Sequence, residues 1–545
     1  MTASTTSKEN FKFIAGKISI LGPQWVSMYT TENETKFEKI HFEQAMSHLI
    51  REPNINSTAI LRTDILIEKS YDVMTSELTE NRSIEEPLNL DQTNPQMINL
   101  DDLEIRNPKI DNKDLHLVPK TEFVRRMVPR NPYKDPLINQ TCSVLNSQKF
   151  EETSLVMYIP HLKEDDEWPF YLPRVSVVGI LLHEKTLSVH YLPFSDAESI
   201  NLLQNENERV TRTAFRLLQT AFKHSNGVML GYVKKVNHDL VVDKVAFQDM
   251  YIFLKKKYSK FLVENWVEST DPKKHVFEDI AIAAFLIQYW KKIYGENYKD
   301  VMQFRDLGCG NGALCYILLS EGAKGLGIDA RRRKSWSIYP TEVRNCLKEQ
   351  VIVPSILLRP DPELKRNMPH LTHNGRMFPM KVSHELIAPA TIVYSSEDLL
   401  QSPQVDVAEY PSNTFIIGNH SDELTCWIPL LGYPFLVIPC CSHNLSGQKV
   451  RYQARKNAKA TKINNSTYAG LVDHVEHIAE RVGWKVEKEM LRIPSTRNAA
   501  IIGSPKSDKD NFSIPAVYET LMEEGGADTW IQNTMLLMKR GPRGH

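Results

Sequence analysis

The feature that most constrains the fold of this chain is a glycine-rich turn between a short apolar strand and a short apolar helix. The stretch FRDLGCGNGALCYILLSEG, residues 304–322, carries glycines at the alternate positions Gly308, Gly310 and Gly312. Glycine lets the backbone turn tightly and lets a ligand approach the main chain closely. A second strand, KGLGID, follows at 324–329. The succession of strand, glycine turn, helix and strand predicts a βαβ unit of a parallel sheet, and therefore an α/β domain.

Two acidic residues flank this turn. Asp306 lies two residues before the first glycine, and Asp329 ends the second strand. The GxGxG spacing differs from the GxGxxG of dinucleotide sites and is similar to the first motif of the Rossmann-like S-adenosylmethionine methyltransferases. Asp306 would suit the ammonium group of that cofactor and Asp329 its ribose diol. The alternative is a tight turn in an unrelated α/β protein. The residues expected to bind the cofactor are Asp306, Gly308, Gly310, Gly312 and Asp329.

Composition indicates an ordinary globular chain of more than one domain. Its 545 residues exceed the usual size of one domain, and 41% are hydrophobic. The formal net charge of −1 leaves local basic patches as the means of attracting a nucleic acid. The seven cysteines contain no CxxC pair, which argues for reduced thiols and against a zinc site. The longest apolar segment is too short to span a bilayer, and we expect a soluble intracellular protein without membrane contact.

Shifts in composition divide the chain into five regions. We expect a partly folded N-terminal segment over 1–74 and a flexible polar linker over 75–120, because the linker has little apolar surface to bury. An α+β domain is expected over 121–270, where the family resemblance described below implies a possible tRNA contact; the Rossmann-like domain is expected over 271–510, and a C-terminal tail over 511–545.

Apolar runs and helical periodicity predict individual elements in both larger regions. The expected strands lie at 154–161, 174–183, 188–194, 302–310, 324–329, 413–420 and 434–441. The expected helices lie at 209–225, 245–266, 278–295 and 312–322. The helix at 278–295 is apolar on most faces and is therefore expected to be buried.

A second motif, IIGNHSDELT, follows a predicted strand at 413–420. Ligands of open α/β sheets bind beyond the carboxyl ends of the strands. A ribose 2′-hydroxyl needs a group that accepts its proton, so His420, Asp422 and Glu423 are candidate bases beside Asn419. The alternatives are a helix N-terminus for the two acids and a structural role for His420.

Two basic runs could contact phosphate groups, although solvated surfaces explain either run equally well. RRRK follows Asp329 directly, and a second run begins after the strand at 434–441. Three cations of the second run recur at intervals of four, as on one face of a helix. The candidate RNA contacts are Arg331, Arg332, Arg333, Lys449, Arg451, Arg455 and Lys459.

The motifs together resemble one family, the eukaryotic tRNA uracil-2′-O-methyltransferases that act on uridine-44 of tRNA-Ser. DLGCGNG, GIDARRRKSW, IIGNHSDELTCWIP, VIPCC and LRIPSTRNAAIIG occur in the order found in that family, and EDIAIAAFL, RNPYKDPLINQTC and GGAD look like it too. The resemblance covers roughly residues 120–530. It implies a Rossmann-like methyltransferase domain with an N-terminal α+β extension. It also implies S-adenosylmethionine as cofactor, no metal, and tRNA-Ser as the partner in the cytoplasm.

Two other functions stay open at this point. A Cys in PCCS, either Cys440 or Cys441, could serve as the nucleophile of an RNA C5-pyrimidine methyltransferase. The chain could also be a non-catalytic tRNA-binding protein that keeps a degenerate fold.

Overall fold

The computed structural model describes residues 11–15, 17–83, 100–111, 113–132, 134–194, 197–232, 238–358, 366, 396–455, 466–504, 512–527 and 529–539. The chain divides into two compact units, residues 1–234 and 235–545. Every helix within the described ranges is too short or too polar to cross a membrane.

The first unit is built on one antiparallel sheet. Its strands are β1 (Phe11–Phe13), β2 (Ile18–Ser19), β3 (Gly22–Thr31), β4 (Ile60–Tyr71), β5 (Leu78–Ser83), β6 (Leu117–Pro129), β7 (Ile138–Ser147), β8 (Thr153–Pro160), β9 (Val177–His183) and β10 (Thr186–Leu192). They lie in the order β1-β3-β10-β9-β8-β7-β6-β4-β5, with β2 beside β3. The helices are α1 (Lys39–Arg51), α2 (Ala197–Leu202) and α3 (Arg209–Met229). Phe42 of α1 and Leu218 of α3 share a buried core with Ile180 of the sheet. The predicted strands and the helix of this region are confirmed.

The boundaries of the first unit differ from the sequence prediction, which separated residues 1–74, 75–120 and 121–270. β3 pairs with β10 and β4 pairs with β6, so the N-terminal segment supplies strands to the same sheet as the rest of the unit. The unit ends at residue 234. Pairing between strands far apart in the sequence leaves no local pattern, which is why the prediction missed it.

The segment expected to be a flexible polar linker also contributes to this sheet. β5 pairs with β4, and Asn139 Nδ2 donates hydrogen bonds of 2.9 Å to the carbonyl oxygens of Leu100 and Asp102. His161 Nδ1 lies 2.8 Å from the Asp102 carbonyl oxygen. The described part of the segment is therefore fixed by hydrogen bonds to buried polar side chains, which hydrophobicity does not reveal. Residues 84–99 lie outside the described ranges.

The second unit contains a mainly parallel sheet. Its strands are β11 (Gln303–Leu307), β12 (Lys324–Asp329), β13 (Leu347–Glu349), β16 (Thr414–Asn419), β17 (Phe435–Ile438), β18 (Val486–Met490) and β19 (Ala499–Gly503). They lie in the order β13-β12-β11-β16-β17-β19-β18, and β19 runs antiparallel to both of its neighbours. Two short strands, β14 (Val351–Ile352) and β15 (Val405–Asp406), form a separate pair. The carboxyl ends of β11, β12, β16 and β17 thus lie along one edge of the sheet.

Helices cover this sheet. They are α4 (Lys244–Glu264), α5 (Pro272–Tyr294), α6 (Tyr298–Val301), α7 (Ala313–Ser320), α8 (Thr341–Asn345), α9 (Ser396–Gln401), α10 (Thr467–Arg481), α11 (Ile514–Glu523) and α12 (Trp530–Lys539). The predicted burial of α5 is confirmed, and its Trp290 ring stacks on Phe304 of β11 with centroids 6.1 Å apart. Buried aromatic rings of this kind contribute a large apolar area to a protein core.

The segment expected to be a C-terminal tail is part of this unit. Leu521 of α11 and Trp530 of α12 are buried, and Trp530 Nε1 donates to the Ile352 carbonyl oxygen at 3.0 Å. Their partners come from distant parts of the chain, so the short apolar runs at 511–545 gave no sign of this packing.

Candidate active site at the carboxyl edge of the parallel sheet

The glycine turn connects the end of β11 to the start of α7. Gly308, Gly310 and Gly312 have φ angles of 80°, 52° and 76°, in the left-handed region that favours glycine. A Cβ atom added to Gly308 would lie 3.3 Å from Ser421 Cβ. The turn therefore packs closely against the loop that follows β16, and the two predicted motifs lie side by side.

Side chains at the end of the GIDARRRKSW segment and just after it donate hydrogen bonds to the carbonyl groups of the turn. Trp336 Nε1 donates to the Gly310 oxygen at 2.9 Å, and Ser335 Oγ donates to the Asn311 oxygen at 2.8 Å. Tyr339 donates to that same Asn311 oxygen at 3.0 Å. The sequence analysis missed these residues because an aromatic side chain in a short helix gives no sign that it bonds to a distant turn.

Asp329 lies at the end of β12, against the turn. Its carboxylate accepts hydrogen bonds from the backbone N–H groups of Gly310 at 2.9 Å and Arg331 at 3.0 Å. Burial raises the pKa of Asp329, while Arg333, 3.7 Å away, and the two N–H groups oppose that rise. The structure therefore places this acid beside the glycine turn.

Asp306 is almost fully buried beneath the turn. Burial raises its pKa to about 7, and the neighbouring Asp329 adds to the rise. The Cys315 thiol donates to Oδ2 at 3.3 Å, and Oδ1 has no hydrogen-bond partner among the described residues. A buried carboxylate with one unsatisfied oxygen is costly unless a donor or a cation supplies the missing contact.

Two further acids reach this site from α5. Glu278 Oε1 lies 2.9 Å from His420 Nε2, and Asp279 Oδ1 accepts a hydrogen bond of 3.1 Å from Asn419 Nδ2. Burial raises the pKa of Asp279 well above its ordinary value, and the carboxylates of Glu278 and Asp306 raise it further. The sequence analysis assigned these acids no role. Two consecutive carboxylates on an otherwise buried helix were the signal that could have identified them.

The loop after β16 holds its side chains in an unusual backbone conformation. His420 and Asp422 have φ angles of 52° and 44°, which residues other than glycine rarely adopt. Of the two His420 ring nitrogens, Nδ1 is buried and has no partner within the described part of the chain. Asp422 and Glu423 lie in the 3-10 turn that follows, and Asp422 Oδ1 accepts a hydrogen bond of 3.0 Å from the Cys440 thiol. The predicted site residues of β16 and the end of β17 are thus brought together.

The basic residues predicted to contact RNA differ in how exposed they are and in whether an acidic residue lies beside them. Arg332, Lys449 and Arg451 are exposed, and Arg333 lies beside Asp329. Arg331 is half-buried. The described residues 451–455 are not helical, so the expected helix with cations at intervals of four is wrong there. The spacing of the cations along the sequence cannot show that side chains of α10 hold this segment in an irregular, non-helical conformation.

Arg455 itself is already paired. Its guanidinium group lies 3.1 Å from Asp473 and 3.2 Å from Glu480, both on α10. Two carboxylates neutralise its charge, so Arg455 offers little to an RNA phosphate. Lys459 lies outside the described residues.

The described residues contain a group of three possible metal ligands, although the cysteine pattern argued against zinc. The ligand atoms of Asp422, Cys440 and Cys441 lie within 4.8 Å of one another. The guanidinium of Arg497 lies 3.7 Å from Cys441 Sγ and donates a hydrogen bond to the Cys440 carbonyl oxygen. The positively charged guanidinium group of Arg497 therefore already lies beside the Cys441 sulfur.

The acidic site matches the charge of the expected cofactor. Asp279 and Asp306 are buried carboxyl groups whose pKa values are raised by burial and by the neighbouring carboxylates. A ligand that carries a sulfonium and an ammonium group would supply positive charge there. The arrangement of acids around the turn therefore fits S-adenosylmethionine.

Comparisons with known proteins cover nearly the whole chain. A family model described as a TRM44-like, N-terminal bet v1-like domain matches residues 4–235, and one described as a predicted AdoMet-dependent methyltransferase matches residues 241–354. Proteins named tRNA (uracil-O(2)-)-methyltransferase are similar to it in several yeasts. The one from Saccharomyces cerevisiae is 63% identical over 99% of this chain and 97% of its own length. The one from Kluyveromyces lactis is 64% identical over 97% and 98%. The one from Schizosaccharomyces pombe is 36% identical over 96% and 94%.

Proposed function

Because the chain belongs to the tRNA (uracil-O(2)-)-methyltransferase family, we propose that it methylates the ribose 2′-oxygen of uridine-44 in tRNA-Ser. Its activity is S-adenosylmethionine-dependent methylation of tRNA. The choice of uridine-44 and of tRNA-Ser rests on the sequence motifs that resemble the uridine-44 enzymes. The observation that supports methylation of a ribose 2′-oxygen is the contact between His420 and Glu278 beside the glycine turn.

We infer that the second unit is a Rossmann-like methyltransferase domain. Support comes from five parallel strands that begin at β13 and end at β17, followed by the antiparallel β19. The first unit, with its antiparallel sheet and helices, serves as the N-terminal α+β extension. We propose a cytoplasmic location because the family acts on tRNA.

The cofactor would be held by the residues around the glycine turn. In this proposal Asp329, which lies against the turn, accepts hydrogen bonds from a ribose diol, and the buried Asp306 and Asp279 pair with positive charge. The carbonyl groups that Trp336 and Tyr339 bind keep the main chain of the turn in one conformation. S-adenosylmethionine, when bound, supplies an electrophilic methyl group on its sulfonium.

His420 is the residue we assign to proton removal from the 2′-hydroxyl. With its proton on Nε2 and donated to Glu278, the ring has a lone pair on Nδ1. A ribose hydroxyl would give Nδ1 the hydrogen-bond partner it lacks among the described residues. Glu278 then fixes the tautomer and stabilises the imidazolium that forms, as a carboxylate does for the histidine of other general-base pairs.

Asp422 is a weaker candidate for the base because it already accepts the Cys440 thiol proton as a hydrogen bond. The same contact keeps Cys440 protonated and disfavours it as the nucleophile of a base methyltransferase. The relatives' names specify methylation at an oxygen and not at a carbon, which also disfavours the C5-pyrimidine reaction.

Three exposed cations are the proposed contacts to the tRNA backbone, namely Arg332, Lys449 and Arg451. Arg332 lies three residues after the end of β12, and Lys449 lines the same pocket as Cys440 and Cys441, which follow β17. Phosphate contacts of this kind position the substrate without reading its sequence.

The test is transfer of labelled methyl groups to tRNA-Ser transcripts, followed by alkaline hydrolysis. A methylated 2′-oxygen blocks cleavage on its 3′ side, so the label is expected in a dinucleotide that contains residue 44. The matched control substrate carries 2′-deoxyuridine at position 44 and should accept no label. Label in a free mononucleotide, or on the deoxy control, contradicts ribose methylation. Equal labelling of other tRNA species contradicts the assignment to tRNA-Ser alone.

A further inference from the structure

A pocket of about 270 Å³ lies beyond the carboxyl end of β17. The chain that follows β17 forms one wall, and the start of α10 together with Arg497 forms the other. The Cys440 thiol in the first wall donates a hydrogen bond of 3.0 Å to Asp422, in the loop that holds His420. The pocket therefore adjoins the candidate active site, although none of its residues takes part in the proposed chemistry.

Arg497 comes from the motif LRIPSTRNAAIIG, which has no part so far in the proposed function. The loop between β18 and β19 is closed at its base, because the Leu491 N–H donates to the Asn498 carbonyl oxygen at 2.8 Å and Asn498 Nδ2 donates to the Leu491 carbonyl oxygen at 2.9 Å. Ser495 Oγ accepts a hydrogen bond of 3.2 Å from the backbone N–H of Arg497. The guanidinium group in turn donates to the Cys440 carbonyl oxygen. These contacts hold the Arg497 side chain at the wall of the pocket.

The two cations of this pocket are not neutralised by acids within the described part of the chain. Arg497 and Lys449 both line the pocket and are exposed, and neither forms an ion pair with a described carboxylate. Arg492, at the other end of the same loop, differs because it lies 2.5 Å from Asp239. A guanidinium and an ammonium group without acidic partners attract an anion to the space between them.

The start of α10 adds positive potential to the same space. α10 has 15 residues, and Thr467 and Tyr468 in its first turn line the pocket. The N–H groups at the start of a helix carry partial positive charge and often bind phosphate groups. The Tyr468 hydroxyl accepts a hydrogen bond of 3.0 Å from the N–H of Ala499, two residues after Arg497. The helix start and the guanidinium group are therefore held next to each other.

A metal ion is the competing occupant, since Asp422, Cys440 and Cys441 have ligand atoms within 4.8 Å of one another. Arg497 Nη1 lies 3.7 Å from Cys441 Sγ and would repel a metal ion bound there. Asp422 accepts the Cys440 thiol from outside the pocket wall. The charges that face the pocket therefore favour an anion over a cation.

We propose that this pocket binds one phosphate group of the tRNA strand, next to the nucleotide whose ribose lies at His420. Arg497 supplies a planar fork of donors for the phosphate oxygens, and Lys449 supplies a second positive charge. The contact between Cys440 and Asp422 joins the pocket to the loop of His420, so a strand whose ribose lies there reaches the pocket with a neighbouring phosphate. Such a contact positions the strand without reading its sequence. The inference rests on the proposed function, which places the target ribose at His420.

The experiment is equilibrium binding of a tRNA-Ser transcript to the full-length chain at several salt concentrations, without cofactor, so that no methyl transfer takes place. Arg497→Gln should weaken binding about tenfold, as expected for a lost charge-assisted hydrogen bond, and lower the slope of log affinity against log salt by about 0.7–0.9. Lys449→Gln should change both quantities in the same direction. This second variant leaves the contact between Arg497 and Cys440 in place, which separates lost charge from a disturbed fold.

Lys324→Gln is the matched control, because it removes the same charge at the amino end of β12, where the Lys324 side chain is 67% exposed. It should leave the affinity and the salt slope unchanged, and an effect equal to that of Lys449→Gln would overturn the proposal. Unchanged binding in Arg497→Gln or in Lys449→Gln would also overturn it. Tightly bound metal in the purified chain that is lost in Cys441→Ser would do the same, since the ion would occupy this wall.

Affinity for S-adenosylmethionine, measured on the same preparations, should be unchanged in Arg497→Gln. Loss of cofactor affinity in place of tRNA affinity would assign the pocket to the carboxylate of the cofactor and overturn the proposal. Methylation of the uridine-44 ribose together with unchanged tRNA binding in Arg497→Gln would overturn the phosphate pocket alone. Methylation at a different atom, with tRNA binding that still depends on Arg497, would contradict the proposed function and support the pocket.

Discussion

The carboxyl group of Asp306 shows how the cofactor site depends on single residues. It is 1% exposed, and its Oδ1 has no hydrogen-bond partner among the described residues. Asp279 lies close enough that the charge of Asp306 raises the pKa of Asp279. Such groups favour the protonated state until positive charge arrives, so proton binding and cofactor binding oppose each other here.

The first prediction concerns the pH dependence of cofactor binding. The pKa of Asp306 is raised to about 7 in the free protein, and a cationic ligand would lower it. Affinity for S-adenosylmethionine should therefore increase as the pH rises towards 7, with release of protons on binding, and level off above it. Calorimetry in buffers of different ionisation enthalpy measures the released protons. In Asp306→Asn the pH dependence should become weaker; an identical profile would mean that Asp306 does not titrate with the ligand.

Asp329 gives the second prediction. Asp329→Ala removes the proposed ribose acceptor and should weaken S-adenosylmethionine binding by about 1–3 kcal/mol, as expected for a lost charge-assisted hydrogen bond. Asp300→Ala is the control, since Asp300 has a side chain 77% exposed and lies 3.6 Å from Lys324 at the surface. Unchanged affinity in Asp329→Ala would remove the ribose assignment.

Some site residues could be predicted from the sequence and others could not. Asp306, Asp329 and the glycines follow a fixed local spacing on a strand, turn and helix, so the sequence predicted that they lie on β11, the turn and the end of β12. Glu278 and Asp279 lie 140 or more residues before their partners His420 and Asn419. Only tertiary packing brings α5 beside the loop after β16.

At the scale of elements, the glycine turn is held by the short helical segment that follows β12. The indole N–H of Trp336 satisfies the carbonyl of Gly310, and Glu268 in turn accepts a hydrogen bond from the backbone N–H of Ser335. These contacts connect the segment that follows β12 to the turn that follows β11. The conformation of the turn is thus set by residues outside it.

The third prediction tests this connection. Trp336→Phe keeps an aromatic ring but leaves the Gly310 carbonyl without its donor, which should cost about 1–3 kcal/mol in cofactor affinity or stability. Trp484→Phe loses a comparable indole hydrogen bond, to the Pro429 carbonyl oxygen at 2.9 Å. The control should lose stability without losing cofactor affinity once folded. Equal loss of affinity in both variants would contradict a specific role for Trp336.

Elements with strong local patterns were the ones predicted correctly. The strands β8 to β12, β16 and β17 and the helices α3, α4, α5 and α7 have clear apolar runs or periodicity. β18 has only one buried residue among five and was not predicted, and its partner β19, a buried run of only five residues, was not predicted either. The C-terminal helices were missed for the same reason, because their burial is decided by distant residues.

At the scale of the whole molecule, the residues assigned to methyl transfer all belong to the second unit. That unit has its own buried core, which includes α5, β11 and β16, and the first unit has a separate one. In this proposal the second unit therefore carries the cofactor site and the general base, and the first unit carries neither.

The fourth prediction follows from this division. A fragment of residues 235–545 should fold and bind S-adenosylmethionine within about threefold of the full chain, a difference of less than one kcal/mol. Circular dichroism and calorimetry on the purified fragment measure both properties. A folded fragment that has lost the cofactor would show that the first unit completes the site.

The central claim is that His420, oriented by Glu278, removes the proton from a tRNA ribose beside the bound methyl donor. The most direct measurement is single-turnover methylation of tRNA-Ser by His420→Ala, with cofactor affinity measured on the same preparation. His477→Ala is the control, because His477 is a half-buried residue of α10 whose ring contacts Arg455 and none of the residues proposed for catalysis. We predict a loss of about 10²–10⁴-fold in the rate with unchanged cofactor affinity, the range for a lost general base. A rate within a few-fold of the unmodified enzyme would contradict the claim.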